Sequence, residues 1–428
     1  MTISPQGHTI AVPSKYEFIA LTAMLMAINA LAIDIMLPGL QQIGASLGVT
    51  DENHRQYVIS AYLIGMGVAQ LAFGPLSDRY GRKAPLLAGI GIYVVCAFSI
   101  ALVPSFAGLL ALRLMQGVGA AATRVIAVSV VRDIYGGRQM AEIMSLVMMV
   151  FMIIPVIAPS IGQGIMLFAE WHMIFVFIGL YGLFVAVMVY TRLPETLAPE
   201  HRRPLSIASV SGAFRIVLTN RTSLFYNIGT SVIFGSLFGF INSAQQILVG
   251  IYGLGVWFPL AFAGFASMMA IASFANSRLV QRFGMRRLSH TALILFALIS
   301  AVFAGSALLG SVPFWLFAII YGLALMQFGI IAPNFNSMAM EPLGAVAGTA
   351  SSVLGFSQTI GGALIGAAIG QAFDGTVTPL AVGFLIVSVL GLIFVFIAEN
   401  GKLFRPHNEQ TGSADGTAAQ GNALHDVH

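Results

Sequence analysis

The chain has 428 residues, of which 58% are hydrophobic and only 8% charged, with a formal net charge of +4. Soluble domains run near 25% charged, so a soluble fold of this length could not solvate its surface, and lipid must be its solvent. The pI near 9.3 suits nucleic-acid binding in principle, but these basic residues lie between apolar blocks, where they hold topology; no nucleic-acid partner is expected.

In chain order, residues 1–16 form an N-terminal segment. The apolar run from about Phe18 past Asp34 to Leu40 is too long and polar for a cleaved signal peptide, although Ala30-Leu31-Ala32 resembles a cleavage site. It reads as the first span. A spanning helix needs about 20 mostly apolar residues. Six such spans are predicted at 17–40, 56–76, 84–104, 107–129, 140–165 and 172–192. Six more follow at 223–249, 256–276, 288–309, 313–333, 346–370 and 378–399. The predicted class is therefore an all-α membrane protein of twelve helices. Its first half is 17–192 and its second 223–399. The linker between them, 193–222, carries Pro194, Pro199, Pro204 and several arginines, and 400–428 reads as a disordered tail.

Charge fixes the orientation. Seventeen of the twenty Lys and Arg residues fall on one side of this arrangement, Arg55 alone falls on the other, and Arg113 and Arg124 lie inside spans. The positive-inside rule makes the basic side cytoplasmic, with an even number of spans and both termini inside. The single cysteine, Cys96, sits mid-span, and none of the eight histidines has metal-ligand spacing, so neither a disulfide framework nor a metal site is expected.

The halves repeat each other weakly. Arg79 and Gly81 after the second span match Arg282 and Gly284 after the eighth at an offset of 203, and Gln41-Gln42-Ile43 matches Gln245-Gln246-Ile247 at 204. Such repeats are how many secondary transporters are built. The loop Gly74-Pro75-Leu76-Ser77-Asp78-Arg79-Tyr80-Gly81-Arg82-Lys83 resembles the G-x-L-a-D-R-x-G-R-K signature of the major facilitator superfamily. Within it the chain resembles the drug:proton antiporters of the bicyclomycin-resistance-like (Bcr/CflA) group. That likeness rests on Asp34-Ile35-Met36-Leu37-Pro38, on the stretch from Arg113-Leu114-Met115-Gln116-Gly117 to Ala121, on Val131-Arg132-Asp133 and on Ala347-Gly348-Thr349-Ala350-Ser351-Ser352. It departs from the group in helix 5, where Ala158-Pro159-Ser160-Ile161-Gly162-Gln163 replaces G-P-x-x-G-G, and at Val128-Ser129, where the group often has Ala-Arg.

Asp34 is the only acid placed well inside a span, and Arg113 is its obvious counter-charge. Burial disfavours a carboxylate and a neighbouring arginine favours it, a tension that suits a proton carrier. The alternatives are that Asp34 faces water at the outer end of helix 1 and that Arg113 ties helix carbonyls. Arg124, three turns beyond Arg113, either lines the inner cavity, snorkels to the surface or forms a structural pair. Asn29, Tyr62, Gln116, Phe238, Asn242, Gln327 and Gln358 are candidate cavity residues; each is otherwise a packing or interhelical contact. The cytoplasmic gate is expected from Gly74, Asp78, Arg79, Gly81, Arg82, Lys83 and Arg132. The resemblance implies that Asp78 pairs with Arg132, caps helix 11 and locks the two halves; the alternative is a topology signal alone. Gln281 stands at the acid's place in the second half, so a weaker lock or none is expected there. Pro155, Pro159 and Gly162 bend helix 5. The resemblance ties them to sealing and rocking of the halves, and close packing is the plainer account.

The leading expectation is a proton-coupled multidrug efflux transporter of the bacterial inner membrane, working by alternating access as a monomer on small lipophilic substrates. A proton-coupled uptake symporter is the alternative. No phosphate-binding loop is present, so an ion gradient, by resemblance H⁺, supplies the energy without a cofactor. An intramembrane enzyme would need paired acids or a nucleophile with His at depth, and the sequence supplies neither.

Overall fold

The computed structural model describes residues 2–3, 9–10, 13–135, 137–202 and 207–404; within these, the side chains of some residues, including 137–138 and 344–349, lie outside the description. The predicted tail beyond 404, Arg203 and the side chain of Arg138 therefore lie outside the described residues.

Twelve long helices are described. The first half holds α1 Lys15–Asp34, α2 Tyr57–Tyr80, α3 Lys83–Ile100, α4 Phe106–Ile134, α5 Gly137–Phe168 and α6 His172–Arg192. The second holds α7 Arg221–Gln245, α8 Phe258–Phe283, α9 Met285–Leu309, α10 Phe314–Met340, α11 Ala347–Gln371 and α12 Thr378–Ala398. Eleven of the helical segments are long and apolar enough to cross a membrane, and α5 adds an apolar stretch, Met152–Phe168. Caps fix several starts: Ser14, Ser105 and Asn220 accept from the amides of Glu17, Gly108 and Ser223, as short polar side chains do at helix N-termini.

Three elements differ from the sequence reading. Helix α2 continues through Pro75 to Tyr80, so Gly74 lies inside it and the reversal takes only Gly81 and Arg82. Gly81 has φ +90°, a conformation costly for any residue with a Cβ. Gly74 serves instead the approach of α11: a Cβ there would lie 2.9 Å from Ser352 Oγ. The linker is partly helical, over Ile207–Thr219. Finally, α1 ends at Asp34 and resumes as Leu40–Ser46 after a tight turn. Pro38 has no N–H to offer the carbonyl of Asp34, which explains the break.

The basic loops collect at one end of the bundle. The halves meet along α2 and α11 and along α5 and α8. Inside the first half, α2 and α4 approach backbone to backbone, since a Cβ on Gly117 would collide with the carbonyl of Tyr62. That approach brings the polar face of α4 against α1 and α2.

Candidate transport site and gates

The deepest charge is Arg113, which is fully buried. Its Nε donates to Val58 O at 3.1 Å, its Nη1 to Gln116 Oε1 at 2.7 Å and its Nη2 to Ala32 O at 3.1 Å. Its plane lies 4.5 Å from the Tyr62 ring centroid. A charge at membrane depth is held by partners such as these or by a water-filled cavity. Arg113 thus ties α1 and α2 to α4 through carbonyls, and no ion pair to Asp34 forms. Asp34 itself is 4% exposed, and its carboxylate has no hydrogen-bond or ion-pair partner among the described residues. It sits where α1 breaks, against α5: a Cβ on Gly162 would collide with the carbonyl of Ile35. On α5, one turn before Gly162, Ala158 and Pro159 are buried, and Pro155 is half-buried.

One turn further toward the basic end a polar string crosses three helices. Tyr62 Oη donates to Asn29 Oδ1 at 3.3 Å and Asn29 Nδ2 to Thr123 Oγ1 at 2.9 Å. The adjacent Arg124 is half-buried and has no partner among the described residues. In the second half, Gln358 Nε2 reaches Asn227 Oδ1 at 3.4 Å and Asn336 Oδ1 at 3.2 Å. Phe238 packs beside Phe234, which meets Phe328 edge-on at 5.2 Å. Gln327 turns back to Leu323 O at 3.3 Å. Asn242 is buried, and neither of its side-chain polar atoms has a partner.

At the basic end Arg82 is the hub. Its Nε donates to Asp133 Oδ2 at 2.7 Å and its Nη1 to Asp78 Oδ1 at 2.5 Å and Ser77 Oγ at 2.8 Å. The carboxylate of Glu195, at the end of α6, accepts from the amides of Arg82 and Lys83 at 2.8 and 3.1 Å and so caps α3. Burial alone would push the Arg82 guanidinium down; the Asp133 and Asp78 carboxylates outweigh it and hold it above its ordinary value. The expected Asp78–Arg132 pair does not form. Arg132 is exposed, and Asp78 faces Arg82 because the reversal at Gly81 folds Arg82 back against the last turn of α2. Arg79 is exposed over Tyr80, and Lys83 Nζ bonds Tyr190 O at 2.7 Å. The cluster therefore clamps α2, α3, α4 and α6 of the first half together. The expected cap on α11 falls on side chains outside the described residues.

The second half has its own cluster, formed by its own residues. Arg286 Nε donates to Glu399 Oε1 at 2.8 Å and its Nη2 to Glu341 Oε2 at 3.1 Å, while Tyr226 Oη donates to Glu399 at 2.7 Å. The opposite end is closed by amides alone. Gln56 Nε2 donates to Gln246 Oε1 at 2.5 Å and Gly370 O at 3.0 Å; Gln246 Nε2 donates to Asn53 Oδ1 at 2.8 Å. Asn53 Nδ2 reaches Gln371 O at 3.1 Å and Phe373 O at 2.9 Å, and Gln371 Nε2 returns to Asn53 O at 2.7 Å.

Residues 19–366 match the Major Facilitator Superfamily. The chain is 31% identical over 390 residues to the bicyclomycin resistance protein homolog of Haemophilus influenzae, covering 89% of this chain and 96% of that one. The chain belongs to the major facilitator superfamily. It is also 29% identical to a chloramphenicol resistance protein of Pseudomonas aeruginosa, over 82% of this chain and 83% of that one. Multidrug resistance protein MdtL of Klebsiella pneumoniae is 29% identical, over 89% and 95%. Among solved structures, a bacterial homolog of the human lysosomal transporter Spinster superposes with a TM-score of 0.68 at 15% identity, covering 91% of this chain and 96% of that one. The xylose transporter XylE from E. coli gives 0.69 at 10%, covering 92% and 99%. These two likenesses establish the fold: twelve transmembrane helices in two six-helix halves. With its bacterial relatives and its long apolar helices, this superfamily member is a multi-pass protein of the bacterial inner membrane.

Sequence reasoning missed Asp133, Glu195, Glu341, Glu399 and the amide closure. One signal was present. Arg82 and Arg286 are 204 positions apart, as are Glu195 and Glu399, the offset of the Gln-Gln-Ile repeat.

Proposed function

We propose that this chain exports small, somewhat lipophilic drugs in exchange for protons by alternating access. The observation that carries the reading is Asp34, a buried acid at a helix break with no cation beside it among the described residues. Such a group can gain and lose a proton without first breaking a salt bridge, and its position beside Gly162 of α5 couples its charge to helix packing. The named resistance functions of the relatives favour export over uptake.

The basic end faces the cytoplasm by the positive-inside rule, with both termini inside. Each half, 17–192 and 223–399, moves as a unit because its own arginine–carboxylate cluster binds its helices together. The amide closure is the outer gate. Asn29, Tyr62, Arg124, Phe238, Asn242 and Gln358 line the path of the substrate, and Gln327 borders it. Arg113 and Gln116 brace the proton site. Gly74, Asp78, Arg79, Gly81, Arg82, Lys83 and Arg132 form the cytoplasmic end. The ion gradient is the only energy source; the chain works as a monomer in the bilayer, with no cofactor, metal, nucleic acid or bond-making step.

Deleting the gene tests this. Resistance to chloramphenicol, bicyclomycin or a sulfonamide should fall and return with the wild-type gene. Unchanged susceptibility, with a metabolite accumulating on inward proton flow, would point to uptake.

A further inference from the structure

We propose that the cavity takes substrates carrying an anionic group and that Arg124 is the residue that anchors it, an inference that rests on the transport reading above. Three charged residues lie deep in the spans: Asp34, Arg113 and Arg124. The spans of the second half present amides and aromatic rings at that depth and no acid. Arg113 is committed: two carbonyls, Gln116 and the Tyr62 ring take its donors and its face, and it is closed to solvent.

Arg124 is not committed. It lies eleven residues after Arg113, within about 20° of the same side of α4 at 100° per residue. Its neighbour Thr123 is held by Asn29 of α1. Ten more residues, or about 15 Å, separate it from the end of α4 at Ile134. No carboxylate, carbonyl or ring partners its guanidinium among the described residues, and the residue is half-buried. A permanently charged, unspent fork of N–H donors beside the Tyr62–Asn29–Thr123 string is a receptor for a carboxylate, a phosphonate or an ionised sulfonamide. The same charge repels lipophilic cations.

Asp34 lies five residues beyond Asn29 along α1, about 7.5 Å toward the clasped end. The proton and the substrate anion thus occupy different depths and do not compete for one residue. One proton entering and one anion leaving move two positive charges inward, so the membrane potential drives the exchange directly.

The test is binding to the purified full-length chain in detergent. The probes are chloramphenicol, which is neutral, its hemisuccinate ester, which is an anion, and tetraphenylphosphonium, a cation. The hemisuccinate should bind at least about tenfold more tightly than chloramphenicol, with tetraphenylphosphonium weakest. Arg124→Gln should abolish the preference, Arg124→Lys should keep part of it, and Arg215→Gln, at an exposed position of the linker helix Ile207–Thr219, should keep all of it. Hemisuccinate binding that is undetectable or no tighter than chloramphenicol overturns the proposal, as does an undiminished preference in Arg124→Gln. Should Arg124→Gln fail to fold, the wild-type ranking and Arg124→Lys still decide. The assay needs no gradient, so failure of proton coupling in vesicles with the anion preference intact would refute the antiport reading alone.

Discussion

Gln245 donates from Nε2 to Gln41 Oε1 at 3.3 Å, although the two residues are 204 positions apart and hold the same place in the two repeats. The contact shows where the halves converge. Around it the bonds among Asn53, Gln56, Gln246 and Gln371 close the end opposite the basic loops with neutral groups only. A closure without charge can be opened by trading its bonds for water, at modest net cost per bond.

Gln56→Leu should therefore favour the open outer gate. It deletes two bonds from Nε2, each worth about 0.5–1.5 kcal/mol net, which raises the open population roughly 5- to 150-fold. A cysteine at Phe238 in a Cys96→Ala background reports this through labelling by an impermeant maleimide on intact cells. An unchanged labelling rate would mean that the amides do not hold the gate.

Arg82→Ala should destabilise the first half by about 3–5 kcal/mol, because it leaves the buried Asp133 carboxylate without its cation. Arg132→Ala, at an exposed position, should stay within about 0.5 kcal/mol. Thermal unfolding in detergent separates them. Equal effects would restore Arg132 to the role that the sequence pattern suggested.

Gly162→Ala and Gly164→Ala should differ in sign. The first drives a methyl into the carbonyl of Ile35, and overpacking of this kind costs about 1–3 kcal/mol. The second meets nothing within 4 Å, so it gains up to about 1 kcal/mol from helix propensity. Melting curves of the two variants check this. Transport should fall only in Gly162→Ala.

Arg113→Lys should not rescue Arg113→Ala fully. An ammonium is a compact point charge and cannot span Val58 O, Ala32 O and Gln116 Oε1 together as the fork does. Each charge-assisted bond lost costs about 1.5–3 kcal/mol, readable as a lower melting temperature in Arg113→Lys than in wild type.

The twelve helices were legible because lipid imposes long apolar runs between polar breaks, and the basic loops set their order in space. Asp34, Arg113 and Arg124 were legible as exceptions to that rule, since a charge in a span is conspicuous. Their partners were not. Arg113 is satisfied by backbone carbonyls, which every sequence offers at every position. Asp78 finds Arg82 rather than Arg132, a choice made by the sharp turn at Gly81. Glu195 lies in the linker and Glu399 at the end of the twelfth span, and neither has a visible role until the fold brings the ends of α6 and α12 beside the starts of α3 and α9. The amides of the outer gate are ordinary in composition, and only their convergence across the halves gives them a role.

The most direct test of the account is the pH inside acidified everted vesicles when chloramphenicol is added, with wild type beside Asp34→Asn. The account predicts proton release by wild type and none by the variant, with the variant folded to the same melting temperature within a few degrees. Release that survives Asp34→Asn would contradict it by moving the proton site away from the buried acid.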